Sequence, residues 1–217
     1  MKFLSSITAL FLLTSPLPAD PTPGEWKELF NGKNLDGWTN SSGGEPGKNW
    51  KIVDGTLART EKGGDIWTKE RFGDFVLEVE FKTTGNSGVY FRTDDPKNNI
   101  QTGIECQVEN PGGPDKHSVG CLYDLKAPTK NVGKKDDWNK YVITCQGAKI
   151  TVELNGEKVN EANLDDWTEA GKNPDGTPNK YKKAVKEWKR EGHIGFQDHG
   201  NNVAYRNVRI KVLPAAK

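Results

Sequence analysis

Short runs of alternating apolar and polar residues recur along the chain and are separated by clusters of Gly, Asn, Asp and Pro. A period of two puts successive side chains on opposite faces, which is typical of β-strands with one buried face. The runs are residues 50–53, 56–59, 75–82, 88–92, 103–108, 140–146, 149–154, 193–197 and 203–213. Asp54-Gly55 and Asn155-Gly156 tolerate positive φ and favour tight hairpins. The spacing predicts an all-β fold, an antiparallel two-sheet sandwich without parallel βαβ units.

The segment 163–191 is polar and rich in turn residues, so it departs from the strand pattern. Four apolar residues near its end have helical spacing: Tyr181, Ala184, Val185 and Trp188. We predict a long loop that bears one short helix after Pro178, with these residues packed on the sandwich. The neighbouring lysines, including Lys180, then form a solvated helix face. Because a loop this long inside a compact domain is often functional, we expect it to overhang a binding site.

The polar faces of three strands carry an unusual set of side chains. Alternation places these residues opposite the apolar rows of their strands: Tyr90, Arg92, Glu105, Gln107, Glu109, Gln197 and His199. A plain solvent face would favour Lys, Glu and Thr, whereas these groups donate and accept hydrogen bonds and stack. They resemble a sugar-binding surface, in which polar groups fix hydroxyls and aromatic rings pack on sugar rings. The alternative is a polar outer face of the sheet that binds no ligand.

Glu105 and Glu109 do not fit the acid and nucleophile of an ordinary retaining glycosidase. Four residues along a regular strand span roughly 13 Å, whereas that mechanism needs carboxyls about 5 to 5.5 Å apart. Glu105 could pair with a carboxylate elsewhere, but the sequence singles out no second candidate.

Composition narrows the function classes and indicates export. The 217 residues include 31 Lys+Arg and 30 Asp+Glu, a net charge of +1 that argues against a nucleic-acid partner. The longest apolar run, 9–13, is too short to span a membrane. Lys2, an apolar stretch and Ala19 together predict a signal peptide over 1–19, followed by a single domain over 20–217. The expected location is periplasmic or secreted.

Three cysteines, Cys106, Cys121 and Cys145, form no CxxC pair. Neither a zinc ribbon nor a redox motif is therefore indicated. One disulfide is possible, but we expect buried free thiols because Cys106 and Cys145 lie in apolar strand-like runs.

Several short motifs follow one another in a characteristic order. They include Leu29-Phe30-Asn31-Gly32, Leu35-Asp36-Gly37-Trp38, the runs 53–57 and 85–92, Glu105-Cys106-Gln107-Val108, Gly120-Cys121-Leu122-Tyr123, the run 192–200 and Tyr205-Arg206-Asn207-Val208. Each motif is weak alone, but their order and spacing over 26–213 resemble the 3-keto-disaccharide hydrolase domain family. The resemblance implies a concanavalin A-like jelly-roll sandwich that is exported in bacteria. It also implies cleavage of glycosides already oxidised to a ketone at sugar carbon 3, by elimination followed by hydration.

Such chemistry requires few catalytic groups. A ketone acidifies the hydrogen on carbon 2, so one base can remove it and the resulting enolate expels the group on carbon 1. A positive group near the enolate oxygen and a proton donor for the leaving oxygen complete the set. The resemblance thus leads us to expect His199 or Glu105 as base and Arg92 as clamp of the enolate or substrate.

The remaining expectations concern binding. Substrate contacts are expected from Tyr90, Gln107, Tyr123, Gln197, Asp198 and Arg206. Asp198 could instead orient the turn itself, and Arg206 shares parity with residues 208 and 210, which we place in the core. No cofactor is expected, although a divalent metal bridging Glu105 and His199 is an alternative electrophile. An upstream sugar 3-dehydrogenase would supply the ketone, and a non-catalytic glycan-binding module is the alternative function.

Overall fold

The computed structural model describes residues 24–216, so the predicted signal peptide lies outside the described residues. In chain order the strands are β1 (Trp26–Glu28), β2 (Trp38–Asn40), β3 (Trp50–Val53), β4 (Thr56–Arg59), β5 (Ile66–Thr68), β6 (Phe75–Thr83), β7 (Ser87–Thr93), β8 (Ile104–Val108), β9 (Asn139–Gln146), β10 (Lys149–Leu154), β11 (Glu157–Asn163), β12 (His193–Phe196) and β13 (Val203–Val212). Helical structure in this part of the chain comprises α1 (Asn99–Thr102) and 3-10 turns at Pro96–Asn98, Leu164–Asp166 and Val185–Glu187.

The strands form two antiparallel sheets, as the sequence predicted. One sheet has eight strands in the order β11-β10-β9-β6-β13-β4-β3, with β1 added beside β13. The other has five, in the order β2-β5-β12-β7-β8. Strands β1, β2 and β5 escaped prediction because three residues are too few to show a period. Strand β11 is missing from the predicted runs because its sequence, EKVNEAN, is largely polar.

Apolar rows from both sheets fill the space between them. Phe75, Leu77, Val79 and Phe81 of β6 are fully buried, which confirms the predicted row. Phe196 of the five-stranded sheet stacks on Tyr205 of the eight-stranded sheet, with ring centroids 3.9 Å apart. Strands β12 and β13 therefore pack against each other across the core. Burial of such side chains supplies most of the folding free energy of a sandwich.

Two β-bulges reverse the side-chain alternation where the sequence analysis assumed it to be regular. In β7 the pairing with β12 shifts between His193 and Gly195, and Arg92 adopts a φ of 50°. In β13 the pairing with β6 shifts between Arg206 and Arg209, and Asn207 also has a φ of 50°. One extra residue sends the following side chains to the opposite face. The expected directions of Arg92 and Arg206 are therefore wrong.

The long loop between β11 and β12 packs on the sandwich through the predicted apolar residues. Tyr181, Ala184, Val185 and Trp188 are all buried, and the Tyr181 and Trp188 rings meet edge to face at 5.0 Å. The predicted short helix is a single 3-10 turn, Val185–Glu187. Within residues 24–216, no helix is long and apolar enough to cross a membrane. All three cysteines are buried and free, as expected.

Gly195 is required because the Trp67 ring lies directly against the backbone of β12. A Cβ at position 195 would lie 2.3 Å from a ring carbon of Trp67, which is itself fully buried. We expect Gly195→Ala to lower the free energy of unfolding by about 1–3 kcal/mol, measured by urea denaturation. Gly112 has open space at its Cβ position, so Gly112→Ala should change stability by less than about 0.5 kcal/mol. Equal stability of the two variants would contradict the placement of Trp67.

Candidate active site

The candidate site lies on the face of the five-stranded sheet that is turned away from the core. Strands β7 and β8 project Tyr90, Glu105 and Gln107 from this face, and Gln197 follows directly after β12. The Gln197 amide nitrogen donates a hydrogen bond to the Tyr90 hydroxyl at 3.2 Å. The Tyr90 ring in turn packs on Trp67, with ring centroids 5.5 Å apart. The sequence-predicted alternation thus holds for these four polar residues.

Two connecting segments keep this polar face out of bulk water. The connection from β7 to β8 carries α1, and its Asn99 amide donates to the Asp65 carboxylate at 2.9 Å. On another side, the Tyr123 backbone N–H donates to the Glu105 carbonyl at 2.9 Å. Tyr90, Glu105 and Gln107 are consequently buried, whereas Gln197 and Tyr123 are half-buried. The base of the site is therefore shielded from solvent, whereas its edge is accessible to water.

Glu105 has the environment of a general base. Its carboxylate lies over Gly88 of the neighbouring strand, where a Cβ would come within 2.3 Å of Oε1. Burial raises the pKa of Glu105 to about 7, and the Asp65 charge adds to this effect. A hydrogen bond from Tyr90 and the charge of Lys180 act in the opposite direction. A carboxyl poised near neutral pH is what proton abstraction requires.

Asp65 is a second carboxyl with a raised pKa, and the sequence analysis missed it. Its pKa is raised to about 6, chiefly by burial; the Asp198 charge acts in the same direction, whereas the backbone hydrogen bond from Asp198 and the nearby His199 lower it. Its Oδ1 accepts a 2.8 Å hydrogen bond from the Asp198 backbone N–H. The only signal in the sequence was its position after Gly63-Gly64, just before the short strand β5.

Three buried oxygen atoms at the site have no hydrogen-bond donor in the described protein. They are Glu105 Oε1, Gln107 Oε1 and Gln197 Oε1. An unsatisfied buried acceptor costs about 1–3 kcal/mol, so several on one face call for an explanation. A ligand rich in hydroxyl groups would supply the missing donors.

Two predicted site residues, Arg92 and Arg206, lie apart from this face. The Arg92 guanidinium pairs with Asp74 at 2.8 Å and donates to the carbonyls of Gly73 and Gly147, with its side chain fully buried. Arg206 pairs with Glu80 at 2.7 Å and its guanidinium lies 3.9 Å from the centre of the Trp138 ring. The bulges described above are the reason in both cases. Neither residue is placed to contact a substrate bound beside Glu105.

Asp198 orients the turn rather than facing the site. Its two carboxylate oxygens accept from the Arg59 guanidinium at 2.6 Å, the Asn49 amide at 3.1 Å and three backbone N–H groups. These hydrogen bonds lower its pKa against the opposing effect of burial. With every acceptor position used, Asp198 contributes to the site through its backbone contact to Asp65.

His199 is exposed at the end of β12, close enough to Asp65 to influence that carboxyl. The other two histidines have structural contacts: His193 Nδ1 lies 2.7 Å from the Thr68 carbonyl, and the His117 ring packs on Tyr123. Within residues 24–216, no group of three or more His, Cys, Asp or Glu side chains is close enough to hold a metal ion. The metal between Glu105 and His199 stays a prediction.

A separate cavity of about 860 Å³ lies at another position, between the β9–β10 turn and the long loop. Its lining includes Trp167, Ala148 and Asp166. None of its lining residues has a raised carboxyl pKa or an unpartnered buried oxygen, so the chemistry belongs to the face that carries Glu105.

The sandwich fold and its buried polar face are those of a family of carbohydrate-hydrolase-like enzymes. The chain belongs to the family of 3-keto-alpha-glucoside-1,2-lyase-like domains, whose model matches residues 25–211. A Bacteroides thetaiotaomicron protein named 3-keto-disaccharide hydrolase is 28% identical, with 98% of this chain and 86% of that protein aligned. The family resemblance found in the sequence motifs is thereby confirmed.

Solved structures agree with this assignment. A Parabacteroides distasonis protein provisionally named glycosyl hydrolase is 34% identical and has a TM-score of 0.78, covering 88% of this chain and 100% of that one. A second protein with that provisional name from the same organism is 27% identical with a TM-score of 0.71, over 87% of this chain and 94% of that one. A Bacillus licheniformis β-glucanase, 14% identical with a TM-score of 0.53 over 90% of this chain and 100% of that one, shares the fold alone. The predicted concanavalin-like jelly roll is confirmed.

Removal of the Glu105 charge should stabilise the protein at high pH. The Glu105 pKa is raised from an ordinary 4.5 to about 7, so the folded state binds the proton more tightly than the unfolded state. This contribution is complete below about pH 4.5 and is lost as the pH rises through about 7. We expect Glu105→Gln to exceed the wild type in unfolding free energy by roughly 1–3 kcal/mol at about pH 8, and by much less at about pH 4.5.

The measurement is urea denaturation across this pH range. Glu45 is an exposed carboxyl, so Glu45→Gln serves as the matched control and should leave the pH dependence unchanged. A Glu105→Gln variant whose stability tracks the wild type at every pH would show that Glu105 is solvated.

Proposed function

We propose that the protein cleaves 3-keto-glycosides by base-assisted elimination followed by hydration. The observation that carries this proposal is the buried carboxyl of Glu105, whose pKa is raised to about 7 and whose Oε1 has no hydrogen-bond partner within residues 24–216. Family membership and the named relatives support the substrate class.

The reaction uses Glu105 as the base. Its carboxylate takes the proton from carbon 2 and the electron pair forms an enolate on the ketone oxygen. The enolate then re-forms the ketone and expels the leaving oxygen from carbon 1, which takes up a proton. Water adds to carbon 1 of the resulting unsaturated ketone and carbon 2 regains a proton, so a free 3-keto sugar is released.

The other residues of the face bind and orient. Burial raises the pKa of Tyr90, so its hydroxyl stays neutral and donates to the Glu105 carboxylate. Gln107 and Gln197 present unpartnered oxygens to sugar hydroxyls, and Tyr123 presents a half-buried ring. His199, at the exposed margin, is positioned as the alternative base or as the proton donor to the leaving oxygen.

The same proposal includes the biological setting. Export to the periplasm or exterior would follow from the predicted signal peptide over 1–19. The ketone must be made by an upstream sugar 3-dehydrogenase, because elimination neither oxidises nor reduces its substrate overall.

Deuterium incorporation tests the reaction class directly. Incubation of the protein with a 3-keto-glucoside in D₂O should release the aglycone and give a 3-keto sugar that carries deuterium at carbon 2. An unoxidised glucoside should remain intact, because its carbon 2 hydrogen is not acidic. Release from the ketone without deuterium would indicate direct displacement at carbon 1. Binding of both compounds without turnover would favour the non-catalytic glycan-binding module.

The pH profile and two variants identify the base. With Glu105 as base, kcat/KM should fall as the pH drops below about 7, because the carboxylate becomes protonated. Glu105→Gln should lower kcat/KM by roughly 100-fold or more, since general base catalysis typically contributes that much. His199→Ala should cause the smaller loss if His199 serves the leaving group. The opposite ranking of the two variants would make His199 the base.

A further inference from the structure

The proposed elimination needs a positive group at the ketone oxygen, and Arg92 does not supply it. Its guanidinium already donates hydrogen bonds to Asp74 and to two backbone carbonyls, and its side chain is buried. The further inference rests on the proposed function and concerns the group that takes this place.

Lys180, on the long loop, is held at the margin of the site by both of its backbone polar groups. Its N–H donates to Asp124 Oδ2 at 2.7 Å. Its carbonyl accepts from the Gln101 side chain at 3.2 Å, and the other end of that amide accepts from the Lys182 N–H at 2.9 Å. The loop is thereby fastened to two separate segments on either side of Lys180.

With its backbone anchored in this way, Lys180 places its ammonium over the ring of Tyr123. The Nζ atom lies 4.0 Å from the centre of the Tyr123 ring, a distance typical of cation–π contact. The backbone N–H of Tyr123 donates to the main-chain carbonyl of Glu105, so the residue beneath the ammonium is paired with Glu105. The electrostatic coupling is mutual: Lys180 lowers the pKa of Glu105, and Glu105 raises that of Lys180 against the larger effect of partial burial.

The Lys180 ammonium also forms no ion pair within the described residues. Within residues 24–216, no carboxylate lies within 4.0 Å of its Nζ, whereas Lys116 pairs with Asp124 at 3.0 Å and Lys189 with Asp94 at 3.1 Å. A cation that acts electrostatically on a buried base and is not neutralised by a carboxylate of its own can stabilise negative charge that develops near that base.

We propose that Lys180 is a catalytic residue that donates a hydrogen bond to the ketone oxygen of the substrate as that oxygen becomes an enolate. Glu105 takes the carbon 2 proton, the electron pair moves to the ketone oxygen, and the ammonium compensates the new charge. When the leaving group departs, the electron pair returns to the ring and the ketone re-forms. No bond forms between Lys180 and the substrate, and no oxidant is consumed.

Asp124 is the corresponding positioning residue. Its Oδ2 holds the Lys180 backbone, while its Oδ1 contacts Lys116 at 3.0 Å and His117 Nε2 at 3.4 Å. Its φ of 60° is costly for a non-glycine residue, which suits a side chain that is fixed by several partners.

Steady-state kinetics on a 3-keto-glucoside test the assignment with three variants. Lys180→Met should lower kcat by roughly 100-fold or more, since loss of one stabilising donor costs about that much. Lys180→Arg keeps the positive charge in another geometry and should lose only about 10-fold. Lys183 is an exposed lysine of the same loop and makes no ion pair with any residue from 24 to 216, so Lys183→Met should match the wild type.

A second readout separates catalysis from binding. Because the unoxidised glucoside develops no enolate, its affinity should be the same for Lys180→Met and the wild type. Borohydride treatment of wild-type protein with the ketone should leave Lys180 unmodified in mass spectrometry.

Turnover by Lys180→Met equal to the wild type would overturn the assignment, and so would a reduced covalent adduct on Lys180. A wild-type protein that leaves the ketone intact would instead refute the proposed function. The two failures are thus distinguishable.

Discussion

The structure of the site depends on a close contact between two strands, in which the Glu105 carboxylate lies over Gly88. A side chain at position 88 would occupy the place of Oε1, so the carboxylate can turn inward only where its neighbour has no Cβ. The same arrangement recurs on β12, the strand next to β7, where Gly195 leaves room for the Trp67 ring of β5. Strand pairing brings Gly88 opposite Gln107 and Gly195 opposite Trp67, so the register of the five-stranded sheet sets the shape of the site.

Burial of Glu105 involves a conflict between stability and chemistry. A carboxylate that has lost its water is destabilised when ionised, which is why its pKa rises to about 7. A Tyr90 hydrogen bond and the Lys180 charge recover part of that loss without fully satisfying the group, because Oε1 has no partner in the described part of the chain. The surrounding sandwich, with its stacked Phe196 and Tyr205 rings, supplies the stability that the site itself lacks.

The sequence was sufficient to predict the sheet architecture and the residues that follow regular alternation. Tyr90, Glu105 and Gln107 share one face because β7 and β8 pair in regular register from Ser87 to Phe91, and the extra residue of β7 lies beyond Tyr90. Arg92 and Arg206 were misplaced because a bulge adds one residue to a strand, and a period-two pattern carries no sign of which residue is extra. Asp65 was missed because β5 has three residues and because its importance comes from Asn99 and Asp198, which are distant in sequence.

Lys180 shows a different limit of sequence analysis. Its loop was expected to overhang a binding site, yet the lysine itself was grouped with solvated neighbours because charge runs are usually exposed. Lys180 is exposed, as are Lys182 and Lys183, and it differs from them through its contacts to Asp124, Gln101 and Tyr123. A displacement mechanism needs two carboxyls at a set separation across one bond. An elimination needs one base at carbon 2 and one positive charge at the neighbouring ketone oxygen, and the buried Glu105 carboxyl under the electrostatic influence of Lys180 has that form.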